Sequence, residues 1–302
     1  MMNEQSATVR PENVKVQFRR MKFDFEDGFP RYWHADSPFI TLFWNALSHS
    51  FPSGEKLFID SVRAVRDQIT DPDLLEEIDH FIAQEAHHTA QHQKFNKMVS
   101  GQGFDMERIE ARYVRLTQIT RDEFADKPHA MLAVTMALEH FTAGFARQYL
   151  TNPAVSEGAH ERVAALWAWH AAEEAEHKST AFDVFNKIGG SYRTRGLQLA
   201  PAWFLIISVT LRSTFELLKQ EGKLGDFRDI ARGLWYLFGR RGLVSNMLPA
   251  MLQYYRGAFH PWQKDDSGLI EKWTANYGHF IEQLGFDGNR AKAGEQTAPA
   301  SN

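Results

Sequence analysis

Glu85 and His88 stand three residues apart, and so do Glu174 and His177. The Glu-x-x-His spacing puts a carboxylate and an imidazole on one face of a helix, close enough to ligate one metal ion or two neighbouring ions. Each pair follows a solitary glutamate: Glu55 precedes Glu85 by 30 residues, and Glu139 precedes Glu174 by 35. His170 lies one turn ahead of Glu174, extending the second motif to His-x-x-x-Glu-x-x-His. All of these groups fall on apolar stripes. Ile78, Phe81, Ile82, Glu85, His88, His92, Phe95 and Val99 recur at steps of three and four, as do Leu166, His170, Glu174, His177, Ala181 and Val184. Glu55 leads Phe58, Ile59 and Val62, while Glu139 shares its face with Leu132, Thr135, Thr142 and Ala146. A carboxylate aimed into a core is costly unless it is neutralised, paired or bound to metal. Four carboxylates balance two divalent ions, so the spacing predicts a buried di-metal centre.

Neighbouring groups compete for these roles. Glu173 is the chief rival of Glu174, because Glu173-x-x-x-His177 also shares a helix face. Glu173 and Glu176 are otherwise expected beside the site or at the surface. His87 and His140 adjoin ligand positions in sequence and therefore point away from them. His92, one turn after His88, is the best candidate for a supporting group. His260, in FHPW, is expected to be structural or to line a substrate entrance. Asp60, Arg63 and Asp67 are expected to form exposed ion pairs of little energetic weight.

Long segments of 3.6-residue periodicity must hold these side chains, and sustained period-2 runs are absent, so the fold is expected to be all-α. Four helices are clearest. Ser53–Gln68 follows Pro52. Pro72–Ser100 opens with Asp71-Pro72, an N-cap and an N1 proline, and stops at Gly101. Pro128–Leu150 ends before Asn152-Pro153. Glu157–Ile188 ends at Gly189-Gly190. A shorter helix near 105–124 joins the second to the third. Four long helices with a crossover predict a four-helix bundle over 21–190. Residues 191–285 read as further helices packed on it. Residues 1–20 read as a loose arm and 286–302 as a disordered tail.

The segment Leu197–Gln220 is apolar and aromatic, but its unbroken stretch is shorter than the ~18–20 residues a membrane span needs. Pro201 and Arg212 weaken that reading further. It is expected to pack on the bundle, with an interfacial membrane helix as the alternative.

The composition narrows the chemistry. The 302 residues contain 13 His and 23 Phe but no Cys, which excludes disulfides, thiol nucleophiles and Cys-ligated zinc or iron–sulfur clusters. A net charge of −4 gives no signal for nucleic acid. The N-terminus lacks an apolar h-region, so a cytoplasmic location is expected, with a peripheral membrane contact through 197–220 as an alternative. No G-x-G-x-x-G or G-x-x-x-x-G-K-[ST] motif appears, so electrons for any redox chemistry would come from an external donor.

With these motifs in view, the chain resembles the ferritin-like di-iron carboxylate proteins. The added His170 is similar to the extra histidine of the p-aminobenzoate N-oxygenase type, where a third histidine binds one iron. PRYWHADSPFITLFWNALSHSFPSGEKLF, ALEHFTAG and GAFHPW resemble a bacterial family known as predicted metal-dependent hydrolases, from about residue 17 to 285. The resemblance implies two iron ions, with manganese or zinc as alternatives, held by Glu55, Glu85, His88, Glu139, His170, Glu174 and His177. Glu85 and Glu174 would be the bridges. The leading expectation is an oxygenase or oxidase acting with O2 on a small apolar or aromatic substrate. The alternatives are a di-metal hydrolase of an ester or phosphoester, and a non-enzymatic metal-binding protein. A homodimer is a further expectation.

Overall fold

A computed structural model describes residues 10–283 apart from Lys22 and Glu26, with side chains to residue 276. The described residues form α-helices and short 3-10 turns, with no strand; an isolated bridge pairs His34 with Ala159.

Local signals place the helices. α1 (Pro38–Ser48) begins where Ser37 accepts from the Ile40 amide, and every one of its residues is buried. No helix was expected there: the segment carries no charged residue, and its polar stripe, Thr41, Asn45 and Ser48, is buried with the rest. α2 (Phe51–Arg63) starts two residues earlier than expected and gives way to a 3-10 turn, Arg66–Gln68, inside the span expected to be continuous helix. α3 (Pro72–Gly101) has the expected Asp71 cap, whose carboxylate accepts from the Asp73 and Leu74 amides. α4 (Glu107–Glu123) is the crossover, and α5 (Pro128–Thr151) starts on proline as expected.

A short α6 (Pro153–Ser156) leads to α7 (Glu161–His177) and α8 (Thr180–Lys187), where one helix, Glu157–Ile188, was expected. The break falls at Lys178-Ser179. The Lys178 ammonium is drawn inward to the Asp266 carboxylate at 2.6 Å and the Lys264 carbonyl at 2.7 Å. The Ser179 carbonyl restarts the ladder by accepting from the Asp183 amide.

α2, α3, α5 and α7 form the bundle: α2 packs on α3, α3 on α7, α7 on α5 and α5 on α2. α9 (Tyr192–Gln220) lies along α5 and α1; α10 (Phe227–Phe238), α11 (Leu248–Tyr254) and α12 (Ser267–Gln283) complete the fold. α9 carries Pro201 within an unbroken helix and buries Leu199, Trp203, Leu217 and Leu218, so one of its faces is part of the core. It is long and apolar enough to cross a membrane by length and composition, and it packs along α5 and α1.

The N-terminal segment differs from the loose arm expected over 1–20. From Arg10 to Arg20 it runs across α3 and α7. The Arg10 guanidinium binds the Glu77 carboxylate and, at 2.8 Å, the Ser179 hydroxyl. Arg19 binds Glu176 at 2.7 Å. Val14 and Val16 are buried. Buried carboxylates on the helices demand cations that the bundle itself does not supply, and the arm brings them. The expected tail, 286–302, lies outside the described residues.

Candidate metal centre

All seven predicted donors meet at the centre of the bundle, and all seven are buried. α2 brings Glu55, α3 brings Glu85 and His88, α5 brings Glu139, and α7 brings His170, Glu174 and His177. They fall into overlapping groups whose donor atoms all lie within 4.8 Å of one another: Glu55 with His88 and His170, Glu85 with Glu139 and His177, and Glu85 with His88 and Glu174. Glu85 therefore belongs to two of the groups. Glu174 also faces both ways, with one oxygen 3.0 Å from His170 Nε2 and the other 3.5 Å from His177 Nε2.

The hydrogen bonds behind the imidazoles decide where their lone pairs point. The Gln84 amide group donates to the Gln17 carbonyl at 3.0 Å and to Glu176 at 3.1 Å, which turns its oxygen toward His177 Nδ1 at 2.9 Å. His177 Nδ1–H donates there, leaving the Nε2 lone pair inward. His88 Nε2–H donates to Glu173 Oε2 at 3.1 Å, leaving Nδ1 inward. The Ser48 hydroxyl donates to Asn96 Oδ1 at 2.6 Å, so it accepts from His92 Nδ1–H at 2.8 Å. His92 Nε2 then accepts from His170 Nδ1–H at 2.7 Å, and the His170 Nε2 lone pair faces Glu174 and Glu55. Such outer partners set the tautomer and the ring orientation of metal-binding histidines.

Most of the inward atoms lack protein partners, the His170 Nε2–Glu174 Oε1 pair at 3.0 Å being an exception. Eight donor atoms are buried without a hydrogen bond: Glu55 Oε1, both oxygens of Glu85, His88 Nδ1, both oxygens of Glu139, Glu174 Oε2 and His177 Nε2. Glu55 Oε2 is held from the side by the Thr89 hydroxyl at 2.7 Å. Burial, reinforced by the Glu85 carboxylate, pushes Glu55 well above the usual carboxylate range; burial and Glu174 do the same to Glu139. Burial also raises Glu85, against His177. Burial would raise Glu174 too, but His177 and His170 overcome it and hold it low. Burial would lower His177, but Glu174, Glu85 and Glu139 prevail and hold it well above the usual imidazole range, so the carboxylates draw positive charge to Nε2, a proton that a metal ion would displace to use the lone pair. Carboxylates that cannot all ionise together, facing imidazole lone pairs, make a cage whose missing element is positive charge. The residues present fit a pair of divalent ions.

The rival groups take other positions. Glu173 is buried behind His88 and 3.5 Å from Arg19, and Glu176 is paired with Arg19. His87 Nε2 turns to the Met21 carbonyl at 2.7 Å, and His140 Nε2 to the Ala250 carbonyl at 3.0 Å. His260 binds Asp183 at 3.0 Å and caps the Trp262 amide. Asp60 pairs with Lys56 and Arg121. The sequence reading missed Arg19, Gln84, Ser48, Asn96 and Thr89. One signal was available for Asn96, which follows His92 by four residues, as His92 follows His88.

Apolar space adjoins the donors. One cavity, bounded by α2, α4, α5 and α9, reaches Glu55; a narrower one, walled by Phe145 and Trp167, reaches His170 and Glu174. The two share Leu47, Phe51, Phe141 and Thr142 as a partition.

Residues 17–265 match the family described as predicted metal-dependent hydrolase, and the chain belongs to that family. Neither a curated protein nor a solved structure matches the chain.

Proposed function

We propose that this family member is a non-haem di-iron enzyme that uses O2 to oxidise or oxygenate a small apolar or aromatic substrate. Glu55, Glu85, His88, Glu139, His170, Glu174 and His177 would hold the two ions, with Glu85 and Glu174 between them. The observation that carries the reading is the inward set of three imidazole lone pairs and four carboxylates, without thiolate, on the four helices of a bundle. When bound, the ions supply the electrons that reduce dioxygen, and an external donor replenishes them. The chain's own residues do the rest. Four carboxylates neutralise two divalent ions, so the reduced centre carries no net charge into the core. Glu173, Gln84 and the His92–Ser48–Asn96 chain keep the three imidazoles in one tautomer each. Phe51, Phe141, Phe145 and Trp167 exclude water and offer apolar contact beside Glu55, His170 and Glu174.

The family description favours a second reading, a di-metal-dependent hydrolase of an ester or phosphoester. Two ions could activate water and clamp the substrate. A charged phosphoester would be desolvated in cavities lined by phenylalanine and leucine, which favours the oxidative reading.

The test is anaerobic ferrous loading followed by O2. About two irons per chain, O2 consumption and a visible charge-transfer band are expected, with metal lost in Glu85→Ala and His177→Ala. Full metal retention in both variants would refute the site. Ester or phosphoester hydrolysis with zinc or manganese under argon, and no reaction with O2, would establish the hydrolase instead.

A further inference from the structure

The outer surface formed by α9, α10 and α11 is unlike the rest of the molecule. α10 is amphipathic, yet its apolar stripe faces outward. Phe227 is 78% exposed and Trp235 70%, and Leu234 and Phe238 are exposed with them, while only Gly233 and Leu237 are buried. Leu197, Phe204 and Phe215 on α9, and Leu248 and Leu252 on α11, are exposed as well. Phe39 of α1 links the elements, meeting Phe215 of α9 at 5.7 Å and lying against Gly233 of α10. The Tyr192 hydroxyl at the start of α9 donates to the Tyr255 carbonyl just after α11, at 2.6 Å.

The charge of this region runs against that of the chain. Residues 192–256 carry ten Arg or Lys and four Asp or Glu, in a protein whose net charge is −4. All four acids are occupied by protein groups: Glu216 by Arg112, Glu221 by Arg31 and Tyr32, Asp226 by the Asp229 amide, and Asp229 by the Ser37 hydroxyl and the Phe39 amide. Arg195 is buried against the Tyr254 and Arg256 carbonyls, but most of the other basic groups are left outside. Arg228 and Arg232 border the apolar stripe of α10, Arg240 and Arg241 follow its C-terminus, and all four are exposed.

We propose that α10, with the outer stripe of α9 beside it, docks in the interface of an anionic phospholipid bilayer. An exposed tryptophan and phenylalanines on one face of a short helix, bordered by arginines, are what a helix lying in the headgroup plane requires. A second copy of this chain fits less well, because a symmetric contact would set the same basic groups against one another. In this arrangement α9 does not cross the bilayer, because one of its faces is committed to α1 and α5. The docking does not depend on the chemistry proposed above. The surface and the site are nonetheless continuous, since Leu205 is both exposed and part of the wall of the cavity that reaches Glu55.

Flotation of the full-length protein with vesicles tests the proposal. Binding to phosphatidylserine–phosphatidylcholine vesicles, weak binding to phosphatidylcholine alone and release by salt are expected. The double variant Phe227→Ser/Trp235→Ser, which changes only exposed side chains, is expected to lose binding at least tenfold while keeping the wild-type circular dichroism. Arg240→Glu/Arg241→Glu is expected to lose roughly tenfold on anionic vesicles alone. Absence of vesicle binding, equal binding to both vesicle types, or a wild-type dimer that Phe227→Ser/Trp235→Ser converts to monomer would each overturn it.

Discussion

Glu173 and Glu174 are adjacent on α7, and either could pair with His177 on a helix face, so substituting each in turn tests the assignment of the donors. In the structure a rotation of about 100° separates their roles. Glu174 looks into the cage, between His170 and His177. Glu173 looks away from it, accepting from His88 Nε2–H at 3.1 Å with Arg19 at 3.5 Å. Burial pushes the Glu173 carboxyl up to about 8 against the opposing pull of Arg19, so its neutral form is accessible near pH 7. Glutamine mimics that form and keeps an oxygen to accept from His88. Glu173→Gln is therefore expected to weaken metal binding less than tenfold. Glu173→Ala frees His88 to change tautomer and rotate. Loss of such an outer partner costs 10–100-fold in affinity, or about 1.4–2.7 kcal/mol. Arg19 keeps Glu176 in that variant, so no buried cation is stranded. Glu174→Ala removes a donor that faces both His170 and His177 and is expected to abolish binding of at least one ion. Anaerobic ferrous titration with metal content after gel filtration distinguishes affinity from stoichiometry. Two ions per chain in Glu174→Ala, with one or none in Glu173→Ala, would refute the assignment.

Other outcomes follow from the same contacts. His92→Phe keeps a ring of similar size but leaves His170 Nδ1–H without its acceptor; metal affinity should fall about 10–100-fold with stoichiometry unchanged, as read by chelator competition. Metal should stabilise the fold strongly, since it binds the buried donors only when they are assembled. At a thousandfold excess over Kd the gain is about 4 kcal/mol, and chelation should lower Tm accordingly. His34 and His49 are pushed down to about 4, chiefly by burial, so between roughly pH 6.5 and 4 the unfolded chain binds the protons and the folded chain does not. Stability is therefore full above pH 6.5 and lost as pH falls, by roughly 3 kcal/mol at most for each histidine. Denaturant titrations at pH 7 and pH 5 should show the drop, and His49→Gln should shrink it. Gly233→Ala would place a methyl group 1.9 Å from Phe39 Cδ1, a clash with a buried ring; the expected cost is ~1–3 kcal/mol, seen as a Tm lowered by about 2–4 °C per kcal/mol.

The donors were legible because a helix converts sequence spacing directly into facing atoms. Glu-x-x-His, repeated on two apolar stripes, leaves little freedom in where the side chains point, and the solitary Glu55 and Glu139 follow from the same rule. Of the groups that support them, His92 was legible, one turn after His88; most of the others were not, for a physical reason. Gln84 acts on His177 from another helix, Glu173 reaches across to His88, and Arg19 arrives from an extended segment more than 150 positions away from Glu173 and Glu176. None of these contacts has a period to detect. The polar N-terminal stretch looked like a solvated arm because its charges are unpaired locally; their partners are buried glutamates whose neutralisation depends on that arm. α1 escaped detection for another reason: it has no charged residue to mark a solvent face, and its polar residues Thr41, Asn45 and Ser48 are buried with the apolar ones. The outward stripe of α10 shows where periodicity itself misleads. Its pattern specifies an amphipathic helix correctly, but the rule that the apolar face turns inward holds only when the protein core is the sole apolar phase available. Here Gly233, Tyr236 and Leu237 make the inner contact, and Phe227, Trp235 and Phe238 are turned outward. α1 holds the narrow side of this helix through Phe39, and the wide apolar side is the surface that the proposed docking on a bilayer would cover.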